Sequence, residues 1–355
     1  MDAKPSGSVG LMDFLSLNER IPSPNAEAAA AAQARLNNIA KPIGSLGELE
    51  TLLIRIAHIS GSVDIDKRKV FVLAADNGVT AQGVAGTPPE ITSVMAGFMA
   101  QGRSAVCIMA ARAGVDVAIV DMGMFRDLEE APGILNRHIA DGTADMSIGP
   151  AMTPEQAKQA IQTGIDLVCV AAEQDYRLIA TGEMGIGNTT TSSALTAVLL
   201  GRPVAEVTGR GAGLSDESLA HKISVIEKAI EVNAPVANDA FDALCKLGGF
   251  DIAGMCGLIL GGALYGIPII IDGFISAVSA LVAVRLCPKA AYALIPSHMS
   301  AEPGSTLVFE ELGLNPIIRA DMRLGEGTGA VALIPLLDAA AAVYHGLMTF
   351  DDIGM

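Results

Sequence analysis

The feature that most limits the fold of this chain is an alternation of short apolar runs with longer segments of helical periodicity. The runs predict strands at residues 69–76, 115–121, 176–183, 267–273, 291–298 and 315–321. Helical patterns between them cover 153–174 and 215–232, and the first opens with Thr153-Pro154-Glu155, an N-cap and first-turn combination. Buried strands joined by helices are typical of an α/β protein with a doubly wound, mostly parallel, Rossmann-like sheet.

The two ends of the chain differ from this central region. Residues 1–60 are helical and Ala-rich without strand patterns, and a long helical pattern fills 328–346. We therefore expect a smaller helical lobe, built from 1–60 and 328–355, beside an α/β domain that covers 61–327 and carries the site.

The charge balance excludes two classes of partner. The chain of 355 residues has 23 Lys and Arg against 39 Asp and Glu, a net charge of −16. It therefore has no bulk attraction for nucleic acid or for an anionic membrane. An anionic ligand would need local cationic side chains or backbone amides.

One uncharged stretch, residues 252–271, has the length of a membrane span. Five glycines and Pro268 instead predict a buried helix that ends near Gly266, followed by a short buried strand. The glycines would let this helix pack closely on the sheet or on a partner subunit. Five cysteines without a CxxC pair indicate reduced core cysteines, and we expect a cytoplasmic protein.

Ligands of doubly wound sheets bind beyond the carboxyl ends of the strands. The predicted strand ends carry polar residues, namely Asp76, Asp121, Glu183, Asp272, Ser297, His298 and Asp321. No histidines form a close ligand pair, so no metal site is predicted.

Two Gly-rich turns precede helical patterns. The backbone amides of "GIGNTTTS" at 185–192 would suit a phosphate, although a plain N-cap with a glycine turn explains the pattern equally well. After the second turn, at 208–214, Lys222 could reach back to an anion or could be an ordinary surface lysine. Neither turn matches a dinucleotide fingerprint or a P-loop, which disfavours an NAD-dependent dehydrogenase.

Glu326 lies between two glycines, which leave room for a ligand beside the backbone. A carboxylate in a cleft can act as a general base when burial raises its pKa. The alternative role is that of an acid at the start of the final helix, stabilised by the helix dipole.

These motifs together resemble one family, the nicotinate mononucleotide:dimethylbenzimidazole phosphoribosyltransferases, which make the lower-ligand nucleotide of cobamides. The resemblance covers the chain from about residue 35 to the last helix, and several of its motifs are long and in order. They are "KPIGSLGELE" (41–50), "AADNGV" (74–79), "GEMGIGNTTTSSAL" (182–195), "TGRGAGL" (208–214), "GGFDIAGMCGLILGGA" (248–263), "IIIDGFISAVSAL" (269–281), "SHMSAEPG" (297–304) and "LGEGTGA" (324–330).

The resemblance implies a reaction and roles for these residues. Nicotinate leaves C1′ of nicotinate mononucleotide and an aromatic acceptor replaces it with inversion, without metal or organic cofactor. Glu326 would be the general base, and Glu183 would lie near the ribose. The phosphate and ribose would contact Gly185, Ile186, Gly187, Asn188, Thr189, Lys222, Leu324 and Gly325.

The acceptor would lie against Asp76, Asn77, Val94, Met95, Ser297 and His298. Three positions depart from the family pattern. They are Asn77, where the family has His; Val94, where it has a base-binding Gln; and Cys107, where it has Asn. An unpaired benzimidazole nitrogen beside Val94 would cost about 1–3 kcal/mol, whereas phenol or p-cresol has no second nitrogen.

A branch of the family acts on phenols as a heterodimer of two homologous chains. The departures favour the catalytic subunit of that branch. A homodimeric dimethylbenzimidazole enzyme and a non-catalytic homologous subunit remain the alternatives.

Overall fold

The computed structural model describes residues 13–125, 132–211, 213–236 and 238–354. Within them, six strands form one parallel sheet in the order β3-β2-β1-β4-β5-β6. The strands are β1 (Arg68–Ala75), β2 (Asp116–Gly123), β3 (Ile134–Asn136), β4 (Leu178–Met184), β5 (Ile269–Ile271) and β6 (Leu294–Pro296). This is the strand order of the dinucleotide-binding sheets, and the predicted fold class is confirmed.

Five of the six predicted runs contain a strand, and the sixth prediction is wrong. Residues 315–321 form no strand. Within them, Ile318 forms one isolated parallel bridge to His298. Pro316 cannot donate to a ladder, which limits pairing there. No predicted run covers β3, because a strand of three largely exposed residues is too short to give a periodic signal.

Fourteen α-helices surround the sheet in the described part of the chain. They are α1 (Phe14–Arg20), α2 (Ala26–Asn38), α3 (Glu48–Ser60), α4 (Ile91–Ala100), α5 (Ala105–Ala113), α6 (Pro154–Glu173), α7 (Asn188–Leu200), α8 (Val204–Val207), α9 (Asp216–Asn233), α10 (Ala240–Leu247), α11 (Phe250–Tyr265), α12 (Phe274–Leu286), α13 (Gly304–Glu311) and α14 (Thr328–Gly346). The predicted start of α6 is confirmed, since Thr153 and Gln156 form a reciprocal capping box.

The glycines of the uncharged stretch allow α11 to cross α6 at backbone contact. A Cβ on Gly164 of α6 would lie 2.6 Å from the Leu258 amide nitrogen, and a Cβ on Gly257 would lie 2.9 Å from the Gly164 Cα. A Cβ on Gly254 would lie 2.7 Å from Leu73 Cδ1 of β1. The predicted buried helix is confirmed, and its glycines serve packing on the sheet and on α6.

The helices of the two chain ends meet in a small apolar cluster. Ala340 of α14 packs there with Leu36 of α2 and Leu53 of α3. The first half of α14, by contrast, packs on the sheet, and Leu17 of α1 belongs to the large cluster on the opposite face. The division into a lobe over 1–60 and 328–355 and a domain over 61–327 stays a prediction.

Two helical stretches of the described chain, Ile91–Ala113 and Thr328–Gly346, are long and apolar enough to cross a membrane by composition alone. The first is broken into α4 and α5 by residues 101–104. Both stretches bury residues such as Met99 and Ile334 against one face of the sheet. Core helices satisfy the same composition test, so we interpret both as core.

Candidate active site

A cavity of about 260 Å³ opens at the carboxyl ends of β4, β5 and β6. Strand order reverses between β1 and β4, and the diverging connections leave a crevice there. Its wall combines the turn after β4, the segment after β5, and the loop that precedes α14. Three segments distant in sequence therefore meet at one point.

Lys222 extends from α9 to the cavity with only 1% of its surface exposed. Its Nζ donates to Thr189 Oγ1 (2.9 Å) and to the Gly209 carbonyl (3.3 Å). Burial lowers the pKa of Lys222 to about 8, against the opposing charge of Glu302. A buried ammonium with neutral partners offers an anion a strong local attraction, so the surface-lysine alternative is wrong.

The backbone carries Glu326 in a left-handed conformation, φ 64°, between Gly325 (φ 82°) and Gly327 (φ 93°). Its Oε2 accepts a hydrogen bond from the Val106 amide (3.2 Å) in the first turn of α5. Burial raises the pKa of Glu326, the charge of Asp272 adds to the rise, and the Val106 hydrogen bond opposes it. The carboxylate is thus held in one orientation while its affinity for a proton is increased.

Glu326 does not stabilise the final helix. Asp272 takes that role, because its Oδ1 accepts from the Ala330 amide (2.9 Å) and its Oδ2 from the Gly327 amide (3.2 Å). These are first-turn amides that lack partners within the helix. The alternative role considered for Glu326 is therefore wrong.

Glu183 is the residue before the last of β4 and is buried, with 7% of its surface exposed. Burial and the neighbouring charge of Asp251 raise the pKa of Glu183 to about 8, whereas a hydrogen bond from the Asn188 amide group lowers it. A Cβ on Gly185 would lie 2.6 Å from the Ala75 carbonyl oxygen and 3.0 Å from Asp251 Oδ2. Only glycine lets the turn after β4 run this close to β1.

A buried polar group reaches from the cavity wall into the core, and we call it the polar floor: Glu183 and Asn188 in the wall, and Asp76, Asn77 and Asp251 behind them. Asn188 donates from one Nδ2 to Glu183 Oε2 and to Asp251 Oδ2 (2.9 Å). One oxygen each of Asp76, Asn77 and Asp251 has no hydrogen-bond partner within the described residues.

A family model described as "Phosphoribosyltransferase" matches residues 21–355. The chain belongs to this phosphoribosyltransferase family. A relative named nicotinate-nucleotide–dimethylbenzimidazole phosphoribosyltransferase from Acetivibrio thermocellus is 46% identical over 322 residues, covering 90% of this chain and 92% of its own. A relative of the same name from Chloroflexus aggregans is 46% identical over 331 residues, covering 93% and 94%.

A solved structure supports the same assignment. The crystal structure of CobT from Thermus thermophilus is similar with a TM-score of 0.87 and 37% identity, covering 93% of this chain and 99% of that one. The resemblance drawn from the motifs is thereby confirmed. This phosphoribosyltransferase is an enzyme of the pentosyltransferase class.

The cavity of the phosphoribosyltransferase collects most of the predicted site residues. Those that line it are Glu183, Gly185, Ile186, Gly187, Asn188, Thr189, Lys222, Leu324, Gly325, Glu326, Met95 and His298. Every residue predicted to contact phosphate or ribose is among them, as are both glutamates. Their roles in binding and catalysis stay predictions.

Two backbone amides predicted to bind phosphate are engaged elsewhere. The Ile186 amide donates to Thr92 Oγ1 (3.2 Å), and the Asn188 amide closes a turn to the Gly185 carbonyl (3.1 Å). Within the described residues, the amides of Gly187 and Thr189 have no protein acceptor. These two are better candidates for an anion in this conformation.

Four residues predicted to contact the acceptor lie outside the cavity wall: Asp76, Asn77, Val94 and Ser297. Asp76 accepts from the Phe125 amide (2.8 Å) after β2, whereas Asn77 donates to the Ile186 carbonyl (3.4 Å) and so supports the turn after β4. Ser297 donates to the Ile271 carbonyl (2.6 Å). Val94 is 43% exposed on α4.

Glu302 and Arg323 are among the cavity residues that were not predicted as site residues from the sequence. Glu302 is buried, and its Oε1 accepts from the Gly211 amide (3.1 Å), which orders the second Gly-rich turn. Arg323 lines the opening beside Leu324. The signal for Glu302 was its place inside "SHMSAEPG", whereas nothing in the sequence marks Arg323.

Proposed function

We propose that this phosphoribosyltransferase transfers the 5-phosphoribosyl group of nicotinate mononucleotide to an aromatic acceptor and releases nicotinate. The product would be the lower-ligand nucleotide of a cobamide. One observation carries the proposal: a single cavity is lined both by a buried lysine, Lys222, and by the oriented carboxylate of Glu326. That pairing suits an anionic donor and an acceptor that must lose a proton.

The phosphate would lie beside Lys222. Lys222 and the amides of Gly187 and Thr189 face the same space, and α7 begins there. A helix N-terminus and a charged donor both favour a dianion. Arg210 and Arg323 at the rim add positive charge to a chain whose net charge is negative.

The transfer exchanges one bond at C1′ for another. The bond from C1′ to the pyridinium nitrogen breaks, its electron pair neutralises that nitrogen, and the acceptor forms the new bond from the opposite face. The acceptor's proton passes to Glu326, whose raised pKa favours this step. Glu183, in its ionised form, would stabilise positive charge that develops on the ribose.

For the acceptor we propose a base of the dimethylbenzimidazole type. The departures in the sequence favoured phenol, but three observations favour a base of the dimethylbenzimidazole type instead. The relatives at 42–46% identity are named for dimethylbenzimidazole. Val94 and Asn77 lie outside the cavity wall, and the Cys107 thiol donates to the Met99 carbonyl rather than facing the cavity.

Phenol or p-cresol remains the second candidate acceptor. One observation favours it: Val94, at the exposed end of α4, cannot replace the hydrogen bond of an amide side chain if the acceptor reaches it. We propose a cytoplasmic dimer, either of this chain alone or with a homologous chain.

Nicotinate release from nicotinate mononucleotide tests the proposal, with dimethylbenzimidazole, phenol and p-cresol in separate reactions. Glu326→Ala should reduce turnover by about 10²–10⁴-fold, the usual contribution of a general base. Glu310→Ala, which removes an exposed glutamate from α13, is the matched control. Equal turnover by Glu326→Ala and the parent would refute Glu326 as the base.

Comparison of the separate reactions decides between dimethylbenzimidazole and the phenols as acceptor. Faster release with dimethylbenzimidazole supports the benzimidazole proposal, and release with phenols alone refutes it. If no acceptor reacts, the chain must be purified with its partner from its source. Inactivity of that complex would exclude the proposed function.

A further inference from the structure

Asp251 has a position that the reaction as described does not use. It lies in the first turn of α11, is 0% exposed, and does not line the cavity. Its Oδ2 accepts from Asn188 Nδ2 (2.9 Å), and the same nitrogen donates to Glu183. One amide group therefore connects two buried carboxyl groups.

The second oxygen of Asp251 lies beside Gly249, as does the side-chain oxygen of Asn77. If Gly249 carried a Cβ, that atom would lie 2.5 Å from Asp251 Oδ1 and 2.7 Å from Asn77 Oδ1. Both oxygens lack a partner within the described residues, and Asn77 Nδ2 is engaged with the Ile186 carbonyl. A buried carboxyl oxygen without a side-chain donor favours the form of Asp251 that carries a proton.

Because burying charge is costly, the ionisation of the other carboxyl groups in the polar floor depends on whether Asp251 carries that proton. The ionisable groups around Glu183 belong either to the polar floor or to the cavity wall. In the polar floor they are Asp76 and Asp251. In the cavity wall they are the acidic Asp272, Glu302 and Glu326 and the basic Lys222, His298, Arg210 and Arg323. Of these, the charge of Asp251 opposes ionisation of Glu183 most strongly. Two carboxyl groups that share one donor titrate as a pair.

We propose that Asp251 is a positioning residue for the transfer: through the shared Asn188 amide it fixes the Glu183 carboxyl group and sets when that group ionises. The proposal rests on the proposed role of Glu183 beside the ribose. Asp251 touches neither donor nor acceptor, and its effect reaches the reaction only through Glu183.

Asp251→Asn tests the proposal with little change in shape. The new side-chain oxygen can still accept from Asn188, and the new amide, like a protonated Asp251, carries no charge. In substrate-free enzyme labelled with carboxyl-¹³C glutamate, the Glu183 signal, identified by its loss in Glu183→Gln, should titrate about one pH unit lower. Asp166→Asn, at an exposed position on α6, should leave it unchanged.

Activity gives a second readout. The limb of the kcat–pH profile that is absent in Glu183→Gln should shift to lower pH in Asp251→Asn, while KM for nicotinate mononucleotide changes little. An unshifted Glu183 titration in folded Asp251→Asn overturns the proposal. Because that titration needs no turnover, its result is independent of whether the proposed function is correct.

If Asp251→Asn does not fold, the parent enzyme still decides. The Glu183 signal should then show two inflections, one of them at the pH where the Asp251 signal of a carboxyl-¹³C aspartate sample titrates. A single inflection would overturn the proposal.

Discussion

The two ends of helix α11 differ in how well their buried groups are satisfied. From Gly254 to Gly261 the helix packs on α6 and the sheet with apolar contacts, and at Gly257 it meets the backbone of α6 directly. At its first turn, Asp251 belongs to the polar floor, where buried carboxyl oxygens lack partners and pKa values are raised. One helix thus contains a tightly packed region and a strained polar region, separated by a single turn.

The difference teaches where this chain gains stability and where it gives some of it up for chemistry. Close backbone contact between α6 and α11 stabilises the fold at every pH, because it involves no titratable group. The polar floor destabilises the fold when its carboxyl groups ionise. Four predictions test this contrast, in order of decreasing effect.

Gly257→Ala should be the most destabilising change. A Cβ there would overlap the Ile161 carbonyl of α6, which is backbone and cannot move aside. We expect a loss of about 3 kcal/mol in the free energy of unfolding, measured by urea denaturation. A loss below about 0.5 kcal/mol would mean that the crossing is not tightly packed.

Lys222→Met should weaken binding of nicotinate mononucleotide without acceptor by about 10–100-fold, since a charged hydrogen bond contributes about 1.5–3 kcal/mol. Titration calorimetry measures the Kd. Affinity of the parent should also fall as pH rises through the pKa of Lys222, about 8, and that dependence should vanish in the variant. Lys228→Met, on the exposed face of α9, serves as control, and equal Kd values for the two variants would refute the lysine's role.

Asp251→Asn should stabilise the enzyme at pH 8 but not at pH 4. Burial raises the pKa of Asp251 to about 6 from 3.8, so the folded state binds this proton more tightly than the unfolded state. Its stabilising contribution is complete below pH 3.8 and is lost as pH rises through 6. Thermal and urea unfolding should show a gain on the order of 1–3 kcal/mol at pH 8, and a loss there would contradict the strained polar floor.

Gly97→Ala should have the smallest effect and the opposite sign to Gly257→Ala. Gly97 lies in α4 and a Cβ there meets nothing within 4 Å. Alanine should therefore add about 0.5–1 kcal/mol of stability through helix propensity alone. Stabilisation of similar size at both glycines would show that propensity, not packing, governs the crossing.

The sequence predicts what depends on local pattern. Strand periodicity, the capping residues of α6 and the glycines around Glu326 are local signals, and they led to five of six predicted strands, to the start of α6 and to a cavity residue. The polar floor depends on contacts that no local pattern encodes. Asp251 accepts a hydrogen bond from Asn188, which lies 63 positions earlier in the chain. Asp272, whose carboxyl group caps α14, follows β5 and is separated from that helix in the sequence by β6.

The residues predicted to contact the acceptor show the same limit of prediction from local pattern. Val94 is adjacent in the sequence to the cavity residue Met95, yet helix geometry directs it elsewhere, and the turn after β1 keeps Asn77 out of the cavity wall. A motif fixes which residues are near a site, but the side-chain direction is set by the backbone that carries them.

The left-handed backbone of Glu326 has a consequence for selection experiments. Any residue with a Cβ is strained in that conformation, and glycine would relieve the strain. In a saturation library at position 326, selection for thermal resistance alone should therefore enrich glycine, whereas selection for cobamide-dependent growth should retain glutamate. The ratio of the two enrichments would report how strongly the reaction depends on this carboxylate, with no enzyme assay.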